Sequence, residues 1–169
     1  MIEGVRINCF GISNGFRTPL SQSVQDTLPL PAPTQLLGLL GAAAGISRSS
    51  MPEMYSKFRV GVIGTSQATY QDLTRIVKYA ANGVVKNPES PTSLLMRENL
   101  FNSEFTIWYI SDGDIDITYV ANAFRHPKFA LSLGRDDEII RIDQVSIVHL
   151  KEIDEAVIHN TIVPFAVDP

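Results

Sequence analysis

The chain has 169 residues, 44% of them hydrophobic and 19% charged, which is typical of one globular domain and excludes a disordered chain. A net charge of −4 argues against a general nucleic-acid-binding protein, and the single cysteine excludes an internal disulfide framework. Residues 1–100 hold nine basic and six acidic side chains, whereas residues 101–169 hold five and twelve. A bound polyanion is therefore expected on the amino-terminal half. No membrane-spanning stretch or signal peptide is recognised, so a cytoplasmic protein is expected.

The first predicted element is a half-buried strand at residues 4–12, in which Cys9 lies on the apolar face. A polar loop with four prolines follows, and the sequence then changes to an apolar helix at residues 34–45. Thr34 is expected to cap the start of this helix and Gly45 its end. The helix is too short to cross a bilayer, so it is expected to pack in the core.

A second strand is predicted at residues 58–64, and an aromatic and β-branched run at residues 105–110 gives the strongest strand signal in the chain. Between them lies a long basic excursion at residues 66–100. Apolar residues at helical spacing predict a helical segment within it, around residues 73–80. An excursion of this length in a small domain is usually functional or mobile.

An amphipathic helix is predicted at residues 117–124, followed by a strand at residues 129–133 and further strand material at residues 139–150. The order strand, helix, strand, strand, helix, strand predicts an α+β fold with a ferredoxin-like, RNA-recognition-motif-type βαββαβ core. The excursion is inserted between the second and third strands. A single domain is expected over residues 1–169, with a carboxy-terminal β extension and tail at residues 134–169.

The sequence contains no Walker A, dinucleotide-binding, zinc-protease or nucleophile-elbow motif, so no catalytic residue, metal or cofactor is predicted. Three scattered histidines lack metal-ligand spacing. Two acidic runs lie in predicted turns, where solvated caps are more common than a divalent-metal site. Their members are Asp112, Asp114, Asp116, Asp136, Asp137 and Glu138.

Three arginines lie beside glycine or turn signals at the ends of predicted core elements. They belong to the triplets Gly15-Phe16-Arg17, Ile46-Ser47-Arg48 and Leu133-Gly134-Arg135. Arginine binds phosphate through two parallel hydrogen bonds, and a neighbouring glycine lets a nucleic-acid backbone come close. Each triplet alone is more typical of a surface salt bridge, but their occurrence together favours phosphate binding. The exposed loop after the first strand adds Ser23 as a candidate.

The order of several motifs resembles that of a known family. These motifs are Phe16-Arg17-Thr18-Pro19, Leu28-Pro29-Leu30-Pro31, the glycine/alanine helix, Arg97-Glu98-Asn99-Leu100 and Leu131-Ser132-Leu133-Gly134-Arg135. In them the chain resembles, over roughly residues 4–150, the Cas-five family of CRISPR-associated proteins. Members of that family cap the 5′ handle of the guide RNA (crRNA) in type I (Cascade) effector complexes.

The resemblance implies a non-catalytic RNA-binding protein of the repeat-associated (RAMP) superfamily, which supports antiviral defence. Its implied partners are the crRNA 5′ handle and the Cascade backbone and large subunits, with target DNA reached only through the complex and no membrane contact. The excursion would be the thumb of the family. The residues implied to lie near RNA are Arg17 and its loop, Arg48, Arg135 and the basic thumb residues Arg75, Lys78, Lys86 and Arg97.

The chain also departs from the family pattern. It is short, so the carboxy-terminal subdomain of larger members is expected to be absent. The aromatic RNP1 pattern is missing at residues 57–60, so base stacking on the sheet is not implied. Two other functions stay open. One is a metal-independent endoribonuclease that processes precursor crRNA, for which no Tyr/Lys/His set can be assigned, and the other is a ferredoxin-like ligand-binding module unrelated to RNA.

Overall fold

A computed structural model describes residues 2–19, 24–77, 79–80, 82–86, 89, 91–111 and 115–153. The helices and strands in chain order are β1 (Ile2–Asn14), β2 (Val24–Gln25), α1 (Pro33–Ala44), α2 (Met51–Tyr55), β3 (Phe58–Val77), β4 (Thr92–Ser111), α3 (Ile117–Arg125) and β5 (Ile140–Leu150). They form a mixed α+β fold around a five-stranded sheet. None of the helices in these ranges is long and apolar enough to span a bilayer.

β4 is the strand on which the sheet is built. It pairs antiparallel with β3 along one edge, from Thr92 to Ser111, and with β1 along the other edge, from Leu100 to Ile110. β1 in turn pairs antiparallel with β5. The short β2 pairs in parallel with β4 at Met96 and Arg97, so it occupies the side of β4 that β1 leaves unpaired after Leu100. The long strands therefore lie in the order β3-β4-β1-β5, with β2 beyond the end of β1.

The predicted helical segment inside the excursion is wrong. Residues 73–77 belong to β3, which forms with β4 a hairpin of two 20-residue strands. Each of these residues pairs across the hairpin, from Leu73 opposite Met96 to Val77 opposite Thr92. Continuous cross-strand pairing and the β-branched residues of this stretch outweigh a few apolar residues that happen to fall at helical spacing.

Two other sequence predictions need correction. Residues 129–133 form no strand and make only an isolated bridge, from Ser132 to Ile139. The strand material predicted at residues 139–150 is β5, which is the edge of the sheet beside β1 and not an extension beyond it. Residues 154–169 of the predicted tail lie outside the described residues.

The start of α1 also differs from the prediction. Ala32, not Thr34, is the N-cap, and Pro33 begins the helix. The Gln35 side chain accepts a hydrogen bond from the Ala32 amide at 2.8 Å, as the glutamine of a capping box does.

α1 and α3 pack against the same face of the sheet, and Tyr109 of β4 joins them. Its hydroxyl donates to the Leu36 carbonyl of α1 at 2.7 Å, and its ring lies 5.2 Å from that of Phe124 of α3.

The face of the sheet that carries Tyr109 is the core face. Cys9 is buried on this face, as predicted, and burial raises the pKa of its thiol to about 12. On the opposite face Trp108 stays partly exposed, so the core lies on one side of the sheet.

Gly45 ends α1 as predicted. Its backbone is left-handed, with φ of 72°, and its amide donates to the Gly41 carbonyl. A β-carbon at this position would lie 2.9 Å from a side-chain carbon of Lys128. Glycine is therefore favoured here by both backbone conformation and space.

We expect Gly45→Ala to lower the free energy of unfolding by about 1–2 kcal/mol, because an L-residue is strained in the left-handed region. Gly38→Ala is the matched control, since Gly38 is exposed inside α1 and a β-carbon there has no neighbour within 4 Å. It should stabilise the protein by roughly 0.5–1 kcal/mol, as alanine is the better helix former. Urea denaturation of both variants measures the difference, and effects of the same sign would contradict the role assigned to Gly45.

Candidate functional site

The loop after β1 is held by a short ladder of backbone hydrogen bonds. The Leu28 amide donates to the Phe16 carbonyl at 2.7 Å, and the Thr18 amide donates to the Asp26 carbonyl at 2.9 Å. Arg17 lies between these bonds, and its side chain is exposed. The ladder therefore presents the guanidinium of Arg17 from an ordered backbone.

Two further contacts fix this loop to β4. Phe16 is buried, and its ring lies edge-on to Phe105 with 5.8 Å between the centroids. The Thr27 amide donates to a carboxylate oxygen of Glu98 at 3.1 Å, while the Thr27 hydroxyl accepts from the Phe16 amide at 2.8 Å. The position of the loop is therefore set by the strand that also carries the hairpin.

A buried carboxylate joins the loop to the turn after α3. Glu138 is 5% exposed, and its Oε2 accepts from the Gly15 amide at 2.9 Å and from the Arg135 amide at 2.6 Å. Its Oε1 lies 2.6 Å from Nη2 of Arg135. Gly15 and Glu138 are 123 positions apart in the sequence. Glu138 thus brings the predicted motifs Gly15-Phe16-Arg17 and Leu133-Gly134-Arg135 together, and we call this contact region the Glu138 junction.

Two buried amides complete the Glu138 junction. Nδ2 of Asn14, at the end of β1, donates to the Leu133 carbonyl at 2.8 Å. Oδ1 of Asn99, in β4, accepts from Nη2 of Arg135. Both asparagines are at most 2% exposed. Since buried polar groups need hydrogen-bond partners, these contacts fix the turn relative to both central strands of the sheet.

Gly134 permits the close approach at the Glu138 junction. Its φ of 117° is one that L-residues rarely adopt. A β-carbon there would collide with Oε2 of Glu138 and would lie 3.0 Å from the Gly15 carbonyl oxygen. Gly134, which is expected from the sequence to let a nucleic-acid backbone come close, therefore lets the loop at Gly15 and the side chain of Glu138 come close.

The two arginines of the joined motifs differ in their availability. The side chain of Arg135 is 30% exposed and is bound to Glu138 and Asn99. Arg17 is exposed and makes no side-chain hydrogen bond or ion pair with the described residues. Within the described part of the chain Arg17 thus has no side-chain partner, whereas Arg135 holds the turn.

Of the predicted thumb residues, Arg97 lies nearest the Glu138 junction. It alternates with Asn99 along β4, so both occupy one face of the strand, and it is opposite Asp72 of β3. Its Nε is buried and has no hydrogen-bond partner among the described residues. Arg75 lies five residues beyond the level of Asn99, roughly 17 Å away, on the opposite face of the hairpin.

The remaining predicted residues are not joined to the Glu138 junction. Lys86 is exposed in the segment between β3 and β4. Arg48 is exposed in a 3-10 turn, Arg48–Ser50, after α1, and no hydrogen bond or ion pair links it to the junction within the part of the chain described here. Ser23 and Lys78 lie outside the described residues.

Sequence reasoning missed Glu138, Asn14 and Asn99. The prediction that Glu138 is a solvated turn residue is wrong, because Glu138 is buried. The two isoleucines that follow it indicate a strand entering the core and are the signal that could have revealed this burial.

The other acidic run lies before α3. Asp116 caps this helix through a 2.8 Å hydrogen bond from the Thr118 amide. Asp112 and Asp114 lie outside the described residues, and no group of three or more potential metal-ligating side chains occurs among those described.

The sequence matches the family model for CRISPR-associated protein (Cas_Cas5) over residues 9–163. The chain belongs to this Cas5 family. The match includes both halves of the Glu138 junction and the whole β3–β4 hairpin. No curated protein matches the sequence of this Cas5 chain.

Solved structures agree with this Cas5 protein in fold. A chain of a CRISPR RNA-guided surveillance complex gives a TM-score of 0.64 at 21% identity, over 80% of this chain and 59% of that one. The crystal structure of a Cas protein gives a TM-score of 0.53 at 21% identity, over 80% of this chain and 58% of that one. A chain of a type III-B Cmr-beta complex bound to cognate target RNA and AMPPnP gives a TM-score of 0.53 at 12% identity, over 89% of this chain and 66% of that one. The chain thus spans less than two thirds of the first two structures.

Substitutions at Glu138 should separate its hydrogen bonds from its charge. Glu138→Ala leaves the amides of Gly15 and Arg135 without an acceptor, so we expect it to lower the free energy of unfolding by about 2–4 kcal/mol. Glu138→Gln keeps an acceptor oxygen and should cost less than Glu138→Ala. Asp137→Ala, an exposed carboxylate of the same turn, should change stability by no more than about 0.5 kcal/mol. Urea denaturation tests the order, and equal losses for Glu138→Ala and Asp137→Ala would contradict it.

The stability supplied by Glu138 should also depend on pH. Burial raises the pKa of Glu138, although the amides of Arg135 and Gly15 and the charge of Arg135 act to lower it. A raised pKa in the folded state gives stability that is present below the unfolded pKa and is lost as the pH rises through the folded value. The stability of the wild type relative to Glu138→Gln should therefore decline as the pH rises above 4.5, the ordinary pKa of a glutamate. Parallel urea titrations measure it, and a relative stability that rises with pH would refute the assignment.

Proposed function

We propose that this Cas5 protein is the non-catalytic subunit of a type I CRISPR effector (Cascade) complex that caps the 5′ handle of the crRNA. The observation that carries the proposal is the Glu138 junction, which fixes the exposed Arg17 beside a glycine-containing turn. A guanidinium held by an ordered backbone is suited to bidentate contact with a phosphate. Long-lived retention of an RNA end needs such positioning and no reactive group, and in this way the subunit supports antiviral defence.

We propose in addition that the fold is a ferredoxin-like, RNA-recognition-motif-type core in which the β3–β4 hairpin is the thumb. The strand order β3-β4-β1-β5, antiparallel neighbours and two helices on one face support the core assignment. The far part of the hairpin, in which residues 74–77 pair with residues 92–95, supports the thumb assignment, because β4 there pairs with neither β1 nor β2.

The two faces of the hairpin fit two kinds of partner. Leu73, Val77 and Leu94 are all at least 44% exposed and lie on one face. These apolar side chains share their face with the exposed Arg75 and fit a protein surface, for which we propose the backbone subunit of the complex. The opposite face carries Arg97 and leads to the Glu138 junction, so we propose that RNA and the large subunit approach from that side.

The roles of the two junction arginines differ in this proposal. Arg17 contacts a handle phosphate. Arg135 is a positioning residue, because one of its terminal nitrogens is already engaged by Glu138 and Asn99. A change at Arg135 would therefore disturb folding and RNA retention together, and Arg17 gives the cleaner test.

The decisive experiment is to tag the chain in its native cell, purify it gently and sequence the 5′ ends of the RNA that accompanies it. We expect one sharp 5′ end inside a repeated sequence, together with larger protein subunits. Ragged ends, or purification without RNA, would contradict handle capping. Cleavage of repeat RNA by the purified protein in EDTA would contradict the non-catalytic assignment.

Arg17→Ala should reduce the retained crRNA about tenfold, as expected for loss of a charged hydrogen bond. Arg125→Ala is the matched control, because Arg125 is an exposed arginine of α3 whose guanidinium contacts the Val145 carbonyl in β5. It should retain the wild-type amount of RNA. The RNA-to-protein ratio of the purified complexes measures the effect, and equal retention by the two variants would argue against Arg17 as a phosphate contact.

A further inference from the structure

The face of the sheet opposite α1 and α3 presents side chains from all four long strands. Strand register aligns them in rows across the sheet. One row is Gly61, Trp108, Arg6 and Ser146, the next is Ile63, Thr106, Asn8 and Gln144, and a third is Thr65, Glu104, Phe10 and Arg141. All of these residues are half-buried or exposed within the described part of the chain. We call this surface the open face.

The open face carries an aromatic residue on each central strand, Trp108 on β4 and Phe10 on β1. Gly61 lies beside Trp108 and has no side chain to cover the indole. The guanidinium of Arg141 lies over the Phe10 ring, 5.1 Å from its centroid. Aromatic rings and guanidinium planes on the central strands of a sheet are surfaces on which unpaired bases stack.

A depression of about 400 Å³ adjoins Phe10 and is large enough for a nucleobase. Its other lining residues are Thr65, Ser66, Gln67, Asn102 and Glu104. The Asn102 amide donates to the Gln67 side-chain oxygen at 2.9 Å, so these two groups are already ordered. Amide and carboxylate groups can bond the edge of a base, and hydroxyl groups can bond a ribose 2′-hydroxyl. This lining suits a nucleotide better than an apolar ligand.

Polar atoms on the open face lack partners. Nε of Arg6 and Oδ1 of Asn8 are buried and have no hydrogen bond to any described residue. Such groups are normally satisfied by protein or by ordered water, and a bound ligand can supply the same hydrogen bonds. Arg6 and Arg141 place two guanidinium groups on this face, and Arg141 also pairs with Asp143. Guanidinium groups are suited to contact with phosphate.

We propose that the open face is a second binding surface, specific for single-stranded RNA. Bases stack on Trp108 and on the Phe10–Arg141 pair, one base enters the depression beside Gln67, and Arg6 binds a phosphate. The surface uses none of the residues of the Glu138 junction. It extends beyond the proposed function, since it would bind RNA whether or not the junction caps a handle.

Trp108 is the only tryptophan of the chain, so intrinsic fluorescence reports on this surface directly. Titrating the full chain with a short oligouridylate should quench its emission, because a base stacks on the indole. Arg6→Gln should weaken the affinity about tenfold through loss of the charged contact to phosphate. Arg125→Gln, at an exposed arginine of α3 on the other side of the sheet, should leave the quenching unchanged. Absence of quenching, or identical titrations for Arg6→Gln and the wild type, would overturn the proposal.

Substitution of the aromatic residue itself supplies a second test, measured by the anisotropy of a labelled oligouridylate. Trp108→Leu should lose about tenfold in affinity, whereas Trp108→Phe should keep most of it because a stacking ring remains. Tyr119→Leu is the matched control, since Tyr119 is an exposed aromatic residue of α3. Equal affinities for Trp108→Leu and Trp108→Phe would overturn the stacking role.

Two further outcomes distinguish RNA binding at the open face from a protein interface and from handle capping. A change in Trp108 emission on concentrating the protein without RNA, with no response to oligouridylate, would identify the open face as a protein interface and overturn the proposal. If the protein from its native cell carries no crRNA and oligouridylate still quenches Trp108, handle capping fails and the open face stands. If the protein carries crRNA with one sharp 5′ end and Trp108 does not respond to oligouridylate, handle capping stands and RNA binding at the open face fails.

Discussion

The buried carboxylate of Glu138 is the contact on which the arrangement of the loops depends. Burying a charge is costly unless several donors surround it. Here two backbone amides donate to Glu138 and the Arg135 guanidinium forms an ion pair with it, and these groups come from the loop after β1 and the turn before β5. Neither segment belongs to a helix or a long strand. Glu138 therefore joins the loop to the turn, while Phe16, Asn14 and Asn99 attach the two segments to the sheet.

The sheet divides its two faces between folding and binding, and adjacent residues of β4 illustrate this division. Tyr109 is fully buried and bonded to α1, whereas Trp108 lies on the open face. Successive side chains of a strand point to opposite faces, so one aromatic-rich segment can serve the core and a ligand surface together. The same alternation continues along β4 into the hairpin, where Arg97 and Leu94 lie on opposite faces.

Much of the fold can be predicted from local patterns, and most errors arise where distant contacts decide. Alternation locates β1 and β5, and capping signals locate the end of α1 at Gly45 and the start of α3 at Asp116. The helical prediction for residues 73–77 fails because their periodicity carries no information about the partner strand. Gly15, Arg17 and Arg135 can be found from their residue types. Glu138 cannot, because its amide partner, Gly15, is 123 positions away.

The hairpin has a consequence for how members of this family can diverge. Residues 92–95 of β4 pair with residues 74–77 of β3 and with no other strand, so residues can be added to both strands there without breaking the pairing of β4 with β1 or β2. An insertion of two residues in each strand preserves which side chains face which way and lengthens the projection by roughly 7 Å. An insertion of one residue would exchange the face that carries Leu73 and Leu94 with the face that carries Arg97. The length of the hairpin can thus change in steps of two residues per strand while the domain that carries it stays the same.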